Sequence, residues 1–239
     1  MGNEKRSRLW NQTYQVLLNK IRTMKPGENR MEPEEELTRS LSVSRATVRE
    51  AMQSLVREGY ITRRHGKGNF AHPSVMGLRH RIDLTADFLQ LIRTAGEEPV
   101  CRNLRCGYAP AGETMRAVFP GPCGTVYELF WRYSLGEKDM IFCKISFPEE
   151  VLTEEPQPPR QNETLADWMA RYCGRDFAYY AAHLRCKADE DANWALGLPA
   201  GTVVQNWQEI VYDLSDRPVA FCDVFFHPEH MDLSMVLRP

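Results

Sequence analysis

The sequence predicts an α+β protein in two units: a small helical unit that ends in a hairpin, and a larger unit with a mostly antiparallel sheet. Helix-period apolar stripes dominate the first part of the chain, and strand-like segments separated by turn residues dominate the rest. The charge also changes sign, since residues 1–76 hold 14 basic and 8 acidic side chains against 16 and 24 in the remainder. The expected boundaries are a first domain over 1–75, a linker over 76–82 and a second domain over 83–239.

Three helices are expected in the first unit. Trp10, Tyr14, Leu17 and Ile21 recur at helical spacing, which predicts a helix over about Leu9–Met24. A second helix begins near Pro33, where Pro and three following glutamates suit a helix N-terminus, and runs to Leu41. The third lies in "VSRATVREAMQSLVREG", residues 43–59, with Ser44 as its N-cap and Gly59 at its end.

A basic hairpin follows the third helix. "YITRRHGKGNFAH", residues 60–72, reads as two short strands around a Gly-x-Gly turn. Three helices and a hairpin of this kind form a winged helix-turn-helix, in which the third helix lies in the major groove of DNA. The alternative is a helical bundle whose basic side chains are only solvated.

Eight residues are the candidate DNA contacts. Arg45 and Arg49 are one turn apart and suit bidentate contacts to guanine. Hydroxyls and first-turn amides at the start of the helix suit phosphates, glycines let the hairpin backbone approach closely, and the hairpin tip suits phosphate or the minor groove. The predicted set is Ser44, Arg45, Thr47, Arg49, His65, Gly66, Lys67 and Gly68.

The second unit reads as strands interrupted by short helices. Helices are predicted in "LTADFLQLIRTAG", "NETLADWMARYCG" and "ADEDANWALGL". Strands are predicted in "TVYELFWRYSL", "MIFCKISFP", "AYYAAHLRCKA", "VVQNWQEIVYDL" and "PVAFCDVFFHP", the last two joined by the turn "SDRP". This pattern favours a mostly antiparallel sheet.

Composition argues against several other classes of protein. All seven cysteines lie in the second unit, their number is odd and none forms a C-x-x-C pair, which favours reduced thiols in a cytoplasmic protein. No apolar run approaches the length of a membrane span. We found no cofactor fingerprint, paired catalytic carboxylates or Ser-His-Asp arrangement, so neither a cofactor nor an enzyme is expected.

The first unit resembles the GntR family of bacterial transcription regulators over about Leu9–His72. The similarity rests on "EEELTRSLSVSRATVREAMQSLVREGYITRRHGKGNFA", with its Ser-Arg-x-Thr-Val-Arg start and Gly-x-Gly wing. The resemblance implies DNA contacts by the recognition helix and the wing, and a palindromic half-site with GT and AC steps. One departure is Glu35, which stands where the family usually has Arg, while Glu34 is retained.

Residues 80–235 resemble the UTRA effector domain of the HutC-type subfamily, which has a chorismate-lyase-like fold. The similarity rests on "RYCGRDF", "ADEDANWALGLPAGTVV" and "DLSDRPVAFCDVFF". It implies a homodimeric repressor of palindromic operators that a small metabolite releases from double-stranded DNA. Activation instead of repression, a second domain that only dimerises, and a lyase-like enzyme remain as alternatives.

The resemblance also places an effector site. In sugar-phosphate-binding relatives, an Arg-x-Arg, a Ser-x-Tyr and the amides of the first helix hold the anion. The Arg-x-Arg falls here on Trp131 and Tyr133 around Arg132, and the Ser-x-Tyr falls on Thr164 and Ala166. The first-helix N-terminus falls on Thr85, Ala86 and Asp87, a late Glu on Ala220 and an Arg on His227. The full predicted set is Thr85, Ala86, Phe88, Trp131, Arg132, Tyr133, Phe142, Cys143, Thr164, Ala220, Phe221 and His227.

Aromatic and apolar residues thus replace the anchors of a sugar phosphate. This favours an aromatic, amine-bearing or acyl-type metabolite. A strand register shifted by one residue would instead turn Arg132 into the site. His227 and His230 in "HPEH" are weak signs of a metal, and we expect a surface loop there and no metal site.

Overall fold

The computed structural model describes residues 2–25, 27–119 and 123–238, with side chains from residue 7 onward. Contacts between residues divide the chain into two units. The first unit consists of Met1–Leu84 together with Leu233–Pro239, and the second unit is Thr85–Asp232. The division after Leu84 falls later than the expected linker over 76–82. The second domain was expected to extend over 83–239, but the last residues, Leu233–Pro239, belong to the first unit.

The first unit is a three-helix domain with a two-stranded wing. Its elements are α1 (Gly2–Thr23), α2 (Glu34–Leu41), α3 (Arg45–Arg57), β1 (Ile61–Arg64), β2 (Gly68–Ala71) and a 3-10 turn (Pro73–Gly77). The core takes side chains from all three helices and both strands, among them Leu17, Ile21, Leu37, Val48, Met52, Leu55, Ile61 and Ala71. These residues follow the helical spacing of the sequence, so the predicted winged helix-turn-helix is confirmed.

The C-terminal segment completes this unit. Ser234 bridges to Arg81 in parallel fashion, and Ile82 N–H donates to Ser234 O over 3.0 Å. Val236 covers Gly59, the positive-φ residue that follows α3, so closely that a Cβ there would lie 2.8 Å from Val236 Cγ1. Gly59 is therefore required both by the backbone turn and by this packing.

The second unit is built on one six-stranded antiparallel sheet with strand order β3-β4-β5-β8-β7-β6. The strands are β3 (Val100–Pro110), β4 (Thr125–Leu135), β5 (Lys138–Pro148), β6 (Phe177–Ala188), β7 (Val203–Asp213) and β8 (Pro218–Phe226). The helices are α4 (Phe88–Ile92), α5 (Glu113–Val118), α6 (Leu165–Tyr172) and α7 (Glu190–Ala195). The predicted α+β class with a mostly antiparallel sheet is confirmed.

Both faces of this sheet are covered by helices. On one face Trp168 of α6 stacks on Tyr127 with ring centroids 6.0 Å apart, and Phe88 of α4 meets Tyr133 edge to face at 5.5 Å. On the other face Ala192 of α7 joins a buried cluster with Phe130. Because side chains alternate along a strand, the odd-numbered residues of β4 share the face of α4 and α6.

Three local predictions need correction. The helix expected over "LTADFLQLIRTAG" is only Phe88–Ile92, because Asp87 caps its start and Arg93 is already extended. Strand β3 and helix α5 were not predicted. The sequence of β3 alternates poorly, and the strand carries a register irregularity between Asn103 and Arg105.

Among the described residues, no helix combines the length and the apolar character needed to cross a membrane.

Candidate DNA-binding surface and ligand cavity

The start of α3 is held by a side-chain cap. Ser44 Oγ accepts a hydrogen bond from Thr47 N over 3.1 Å and lies 2.8 Å from Thr47 Oγ1. Thr47 is only 7% exposed, so its side chain serves the cap more than the surface. The predicted cap is confirmed, and it fixes the direction of the first turn, on which the two arginines stand.

Arg45 and Arg49 project from the exposed side of α3. Their side chains are 60% and 54% exposed, and the spacing of four residues puts them on one helix face. Arg49 Nε lies 3.4 Å from Glu34 Oε2, and the other oxygen of Glu34 accepts from Arg63 of the wing over 3.1 Å. Glu34 thereby links the recognition helix to the wing and positions two cations beside each other.

The wing presents an exposed basic tip. His65, Gly66 and Lys67 are exposed, and Gly66 and Gly68 have positive φ angles of 71° and 108°. The base of the wing is anchored by backbone bonds to the segment before α2, since Met31 N–H donates to Asn69 O over 2.9 Å. The tip is therefore held by a rigid base while its own backbone stays open to a ligand.

Glu35 faces the same surface. Its carboxylate lies 3.9 Å from an Arg45 guanidinium nitrogen, and both side chains are well exposed. A carboxylate at this place repels phosphate and partly neutralises Arg45. The departure from the family pattern noted in the sequence thus has a direct electrostatic consequence.

The second unit contains a cavity of about 290 Å³ between α4, α6 and the sheet. Strands β4 to β8 form its floor, and the N-terminal ends of α4 and α6 contribute to its walls. Its described lining is Ala86, Asp87, Phe88, Leu89, Trp131, Tyr133, Cys143, Ile145, Glu163, Thr164, Leu165, Ala166, Phe177, Tyr180, Glu209, Cys222 and Val224. Most of these side chains are apolar or aromatic, so the cavity suits a ligand with an apolar body.

Six residues of the predicted effector set line this cavity: Ala86, Phe88, Trp131, Tyr133, Cys143 and Thr164. Trp131 and Tyr133 line it from alternate positions of β4, the positions on which the Arg-x-Arg of the relatives falls. Thr164 caps α6, because its Oγ1 accepts from Asp167 N over 3.1 Å. Asp87 caps α4 in the same way, accepting from the amides of Leu89 and Gln90.

Arg132 and Phe142 lie on the opposite face of the sheet, which corrects their place in the predicted set. Arg132 forms an ion pair with Asp139 at 3.1 Å and donates to Ala195 O over 3.3 Å. Phe142 packs against Phe130 and is completely buried. Each is the strand neighbour of a residue that does line the cavity, and neighbours on a strand face opposite ways.

Four further predicted residues also lie outside the cavity lining. Thr85 is occupied within its own turn, where its hydroxyl donates to Gln90 Oε1 over 2.8 Å. Ala220 is buried but absent from the lining, and Phe221 packs in a separate cluster with Met115. His227 is only 6% exposed, which corrects the expectation of a surface loop at this residue.

The ring of His227 stacks on His230, with centroids 3.7 Å apart. Its Nδ1 accepts backbone N–H bonds from Glu229 and His230, which accounts for that nitrogen without a metal. Over the residues that the structure describes, no three His, Cys, Asp or Glu side chains are grouped closely enough to hold a metal ion.

Sequence reasoning missed Glu209, the polar residue at the floor of the cavity. Glu209 is 4% exposed, and its Oε1 finds no hydrogen-bonding partner among the described residues. Burial raises the pKa of Glu209 to about 8. The available signal was the alternation Trp207, Glu209, Val211, in which one acid lies between two apolar residues of the same strand face.

Residues 9–70 match the model of the GntR family of bacterial regulatory proteins. The whole chain is similar in fold to PhnF from Mycobacterium smegmatis, with 16% identity, a TM-score of 0.55, and 95% of this chain and 99% of that chain covered. YydK from Bacillus subtilis, described as a possible transcriptional regulator, gives 14% identity and a TM-score of 0.67, with 96% and 99% covered.

The effector domain of Mycobacterium smegmatis PhnF alone matches at 14% identity and a TM-score of 0.54, with 64% of this chain and 95% of that chain covered. The N-terminal unit thus contains a match to the GntR-family model, and the second unit shares its fold with the effector domain of PhnF.

Proposed function

We propose that this protein is a ligand-responsive transcription regulator of the HutC type, with a UTRA effector domain. In this proposal a homodimer represses its target by binding a palindromic operator, and a small metabolite in the cavity releases it. The protein acts in the cytoplasm, where the bacterial chromosome lies. The match of residues 9–70 and the shared fold of both units support a DNA-binding regulator.

The single observation that carries the DNA-binding proposal is the joint presentation of Arg45, Arg49 and the wing. Two exposed guanidinium groups on one turn at the start of α3 suit base edges in the major groove. Glu34 holds Arg49 and Arg63 from one carboxylate, so the helix and the wing are set for simultaneous contacts. A helix face that is only solvated would not require a carboxylate that contacts both Arg49 of the helix and Arg63 of the wing.

A homodimer is supported by the edge strand β6. This strand of 12 residues ends the sheet, and its outer edge pairs with no strand of the described chain. Leu184 is 55% exposed on it. Long open edges invite pairing, and a second copy of the chain would cover this edge and supply the second DNA head that a palindrome requires.

Ligand response is supported by the apolar cavity in a unit with the fold of an effector domain. A metabolite that lowers DNA affinity must bind the DNA-bound protein more weakly by the same factor. A domain that only dimerises needs no such cavity. The rival proposals therefore differ in a measurable quantity, the coupling between ligand and DNA.

The test is selection of DNA from a random duplex library by the immobilised full-length protein, followed by sequencing and by binding measurements on the enriched and scrambled duplexes. We expect an inverted repeat to be enriched and to bind at least about 10³ times more tightly than scrambled DNA at physiological salt. A protein carrying Arg45→Ala and Arg49→Ala is the matched control, and should enrich nothing. Enrichment of the same repeat by that control would refute the assignment.

A further inference from the structure

The cavity of the second unit is lined by acidic side chains as well as by apolar ones. Asp87, Glu163 and Glu209 are among its lining residues, and none of the described lining residues is Lys, Arg or His. Arg132, which lies between Trp131 and Tyr133 in the sequence, is on the opposite face of the sheet from the cavity and forms an ion pair with Asp139. A negatively charged ligand would therefore find no cationic side chain among the described lining residues.

The three acids are not equivalent. Glu163 forms an ion pair with Arg171 at 2.5 Å, and Asp87 is engaged by the two amides that it caps. Glu209 is only 4% exposed, and its Oε1 has no hydrogen-bonding partner among the described residues. A buried carboxyl group that lacks a partner costs stability, and a ligand that supplies one recovers that cost.

Aromatic rings line the cavity together with Glu209. Phe88, Trp131, Tyr133, Phe177 and Tyr180 all contribute to the lining. Phe177 and Tyr180 stack with centroids 6.0 Å apart, and Phe88 meets Tyr133 edge to face at 5.5 Å. Aromatic walls around a single acid are the usual protein environment for an organic ammonium group, since ring faces and carboxylate attract the same charge.

We infer that the cavity binds an organic amine with an apolar or aromatic body, whose cationic nitrogen pairs with the carboxylate of Glu209. The inference rests on the proposed function only for the consequence of binding, since the site itself is defined by the second unit alone. The unpartnered Nε1 of Trp131 adds one hydrogen-bond donor for an acceptor atom of the same ligand.

Binding of such an amine is coupled to loss of a proton from Glu209. Cys222 and Tyr180 lie on the two strands adjacent to that of Glu209, and Cys143 lies one strand further away on β5. Burial raises the pKa of all three groups and keeps them neutral. Asp87 and Glu163 are the other acids of the lining. With a pKa of about 8, Glu209 is mostly protonated at pH 7, and pairing with an ammonium group should release most of one proton per ligand.

The experiment uses three probes of similar shape: 2-phenylethylamine, the neutral 2-phenylethanol and the anionic 3-phenylpropionate. Binding to the full-length protein is measured by isothermal titration calorimetry at pH 7, in buffers of different ionisation enthalpy. We expect the amine to bind most tightly, with release of most of one proton, and to bind roughly 10–20 times more tightly at pH 8 than at pH 6.5. Tighter binding of the alcohol or the acid, or binding of the amine without proton release, overturns the inference.

Variants separate charge pairing from simple packing. Glu209→Gln keeps the shape of the side chain and should weaken amine binding at least tenfold while abolishing proton release. Glu128→Gln is the matched control, because Glu128 lies on the opposite face of the same sheet and pairs with Lys144 at 3.6 Å. Equal amine affinity of Glu209→Gln and the parent protein contradicts the assignment.

The outcomes distinguish this inference from the proposed function. If the amine binds through Glu209 and DNA affinity is unchanged, the inference stands and the ligand response of the regulator fails. If none of the three probes binds while the protein still selects a specific DNA sequence, the inference fails and the DNA-binding proposal stands.

Discussion

Replacing Glu209 by Gln should stabilise the protein, and the gain should grow with pH. Between the ordinary carboxyl pKa of 4.5 and a folded-state pKa of about 8, the native protein holds a proton that the unfolded chain gives up. Raising the pH therefore favours unfolding of the parent protein across this window, and the loss is complete once pH exceeds about 8. The Gln side chain has no proton to lose and escapes this penalty.

The size of this pH-dependent difference in unfolding free energy follows from the raised pKa of Glu209. Each pKa unit is worth about 1.4 kcal/mol, so the difference in unfolding free energy between Glu209→Gln and the parent should rise by roughly 3 kcal/mol from pH 5 to pH 8. Other titrating groups, such as His227, whose pKa burial lowers, are present in both proteins and cancel in the difference. The comparison thus isolates one carboxyl group.

The assay is urea unfolding of both proteins at pH 5, 6, 7 and 8, followed by tryptophan fluorescence. Four of the five tryptophans, at positions 131, 168, 194 and 207, lie in the second unit and report its unfolding. Glu128→Gln should show a difference from the parent that does not grow in this way. A difference for Glu209→Gln that stays constant with pH would refute the account of Glu209 as a buried, partnerless acid.

Five other changes test the DNA-binding unit. Arg45→Ala and Arg49→Ala should each cost about 1–3 kcal/mol on the selected duplex and relax sequence preference in fluorescence anisotropy; parent-like binding by both would exclude them as base contacts. Lys67→Ala should weaken binding to all duplexes alike and reduce the slope of log affinity against log salt by about one, whereas an unchanged slope argues against a phosphate contact. Glu35→Ala should tighten DNA binding by roughly 0.5–1 kcal/mol at low salt, since it removes a carboxylate 3.9 Å from Arg45; weaker binding would show that Glu35 assists the arginine. Deleting residues 233–239 removes the segment that pairs with Ile82 and covers Gly59, so trypsin should digest the N-terminal unit faster than in the full chain; equal rates would mean that this segment adds no stability.

Local pattern was sufficient for most of the fold. The stripe from Leu17 to Ile21 and the Ser44 cap follow from helical periodicity and capping chemistry, both of which depend on near neighbours in sequence. Strand β4 was predicted with its observed ends, Thr125 and Leu135, because six of its eleven residues are β-branched or aromatic. Strand β3 carries arginines, cysteines and a glycine, and only its pairing with β4 makes it a strand.

The ligand cavity was predictable only in part. Alternation along β4 placed Trp131 and Tyr133 on one face, yet the predicted set also included Arg132 and Phe142, which that same alternation excludes. Glu209 could not be placed because the order of β5, β8, β7 and β6 is set by long-range pairing. The return of residues 233–238 to the first unit likewise depends on tertiary contacts that no local pattern encodes.

The most direct test of the account is the affinity of the full-length protein for its selected duplex, measured by fluorescence anisotropy with and without saturating 2-phenylethylamine. The account predicts weaker DNA binding in the presence of the amine, with amine affinity for the DNA-bound protein reduced by the same factor. The Glu209→Gln variant should bind the duplex as the parent does but lose the response. Identical DNA affinity with and without bound amine would contradict the claim that the cavity controls the DNA-binding unit.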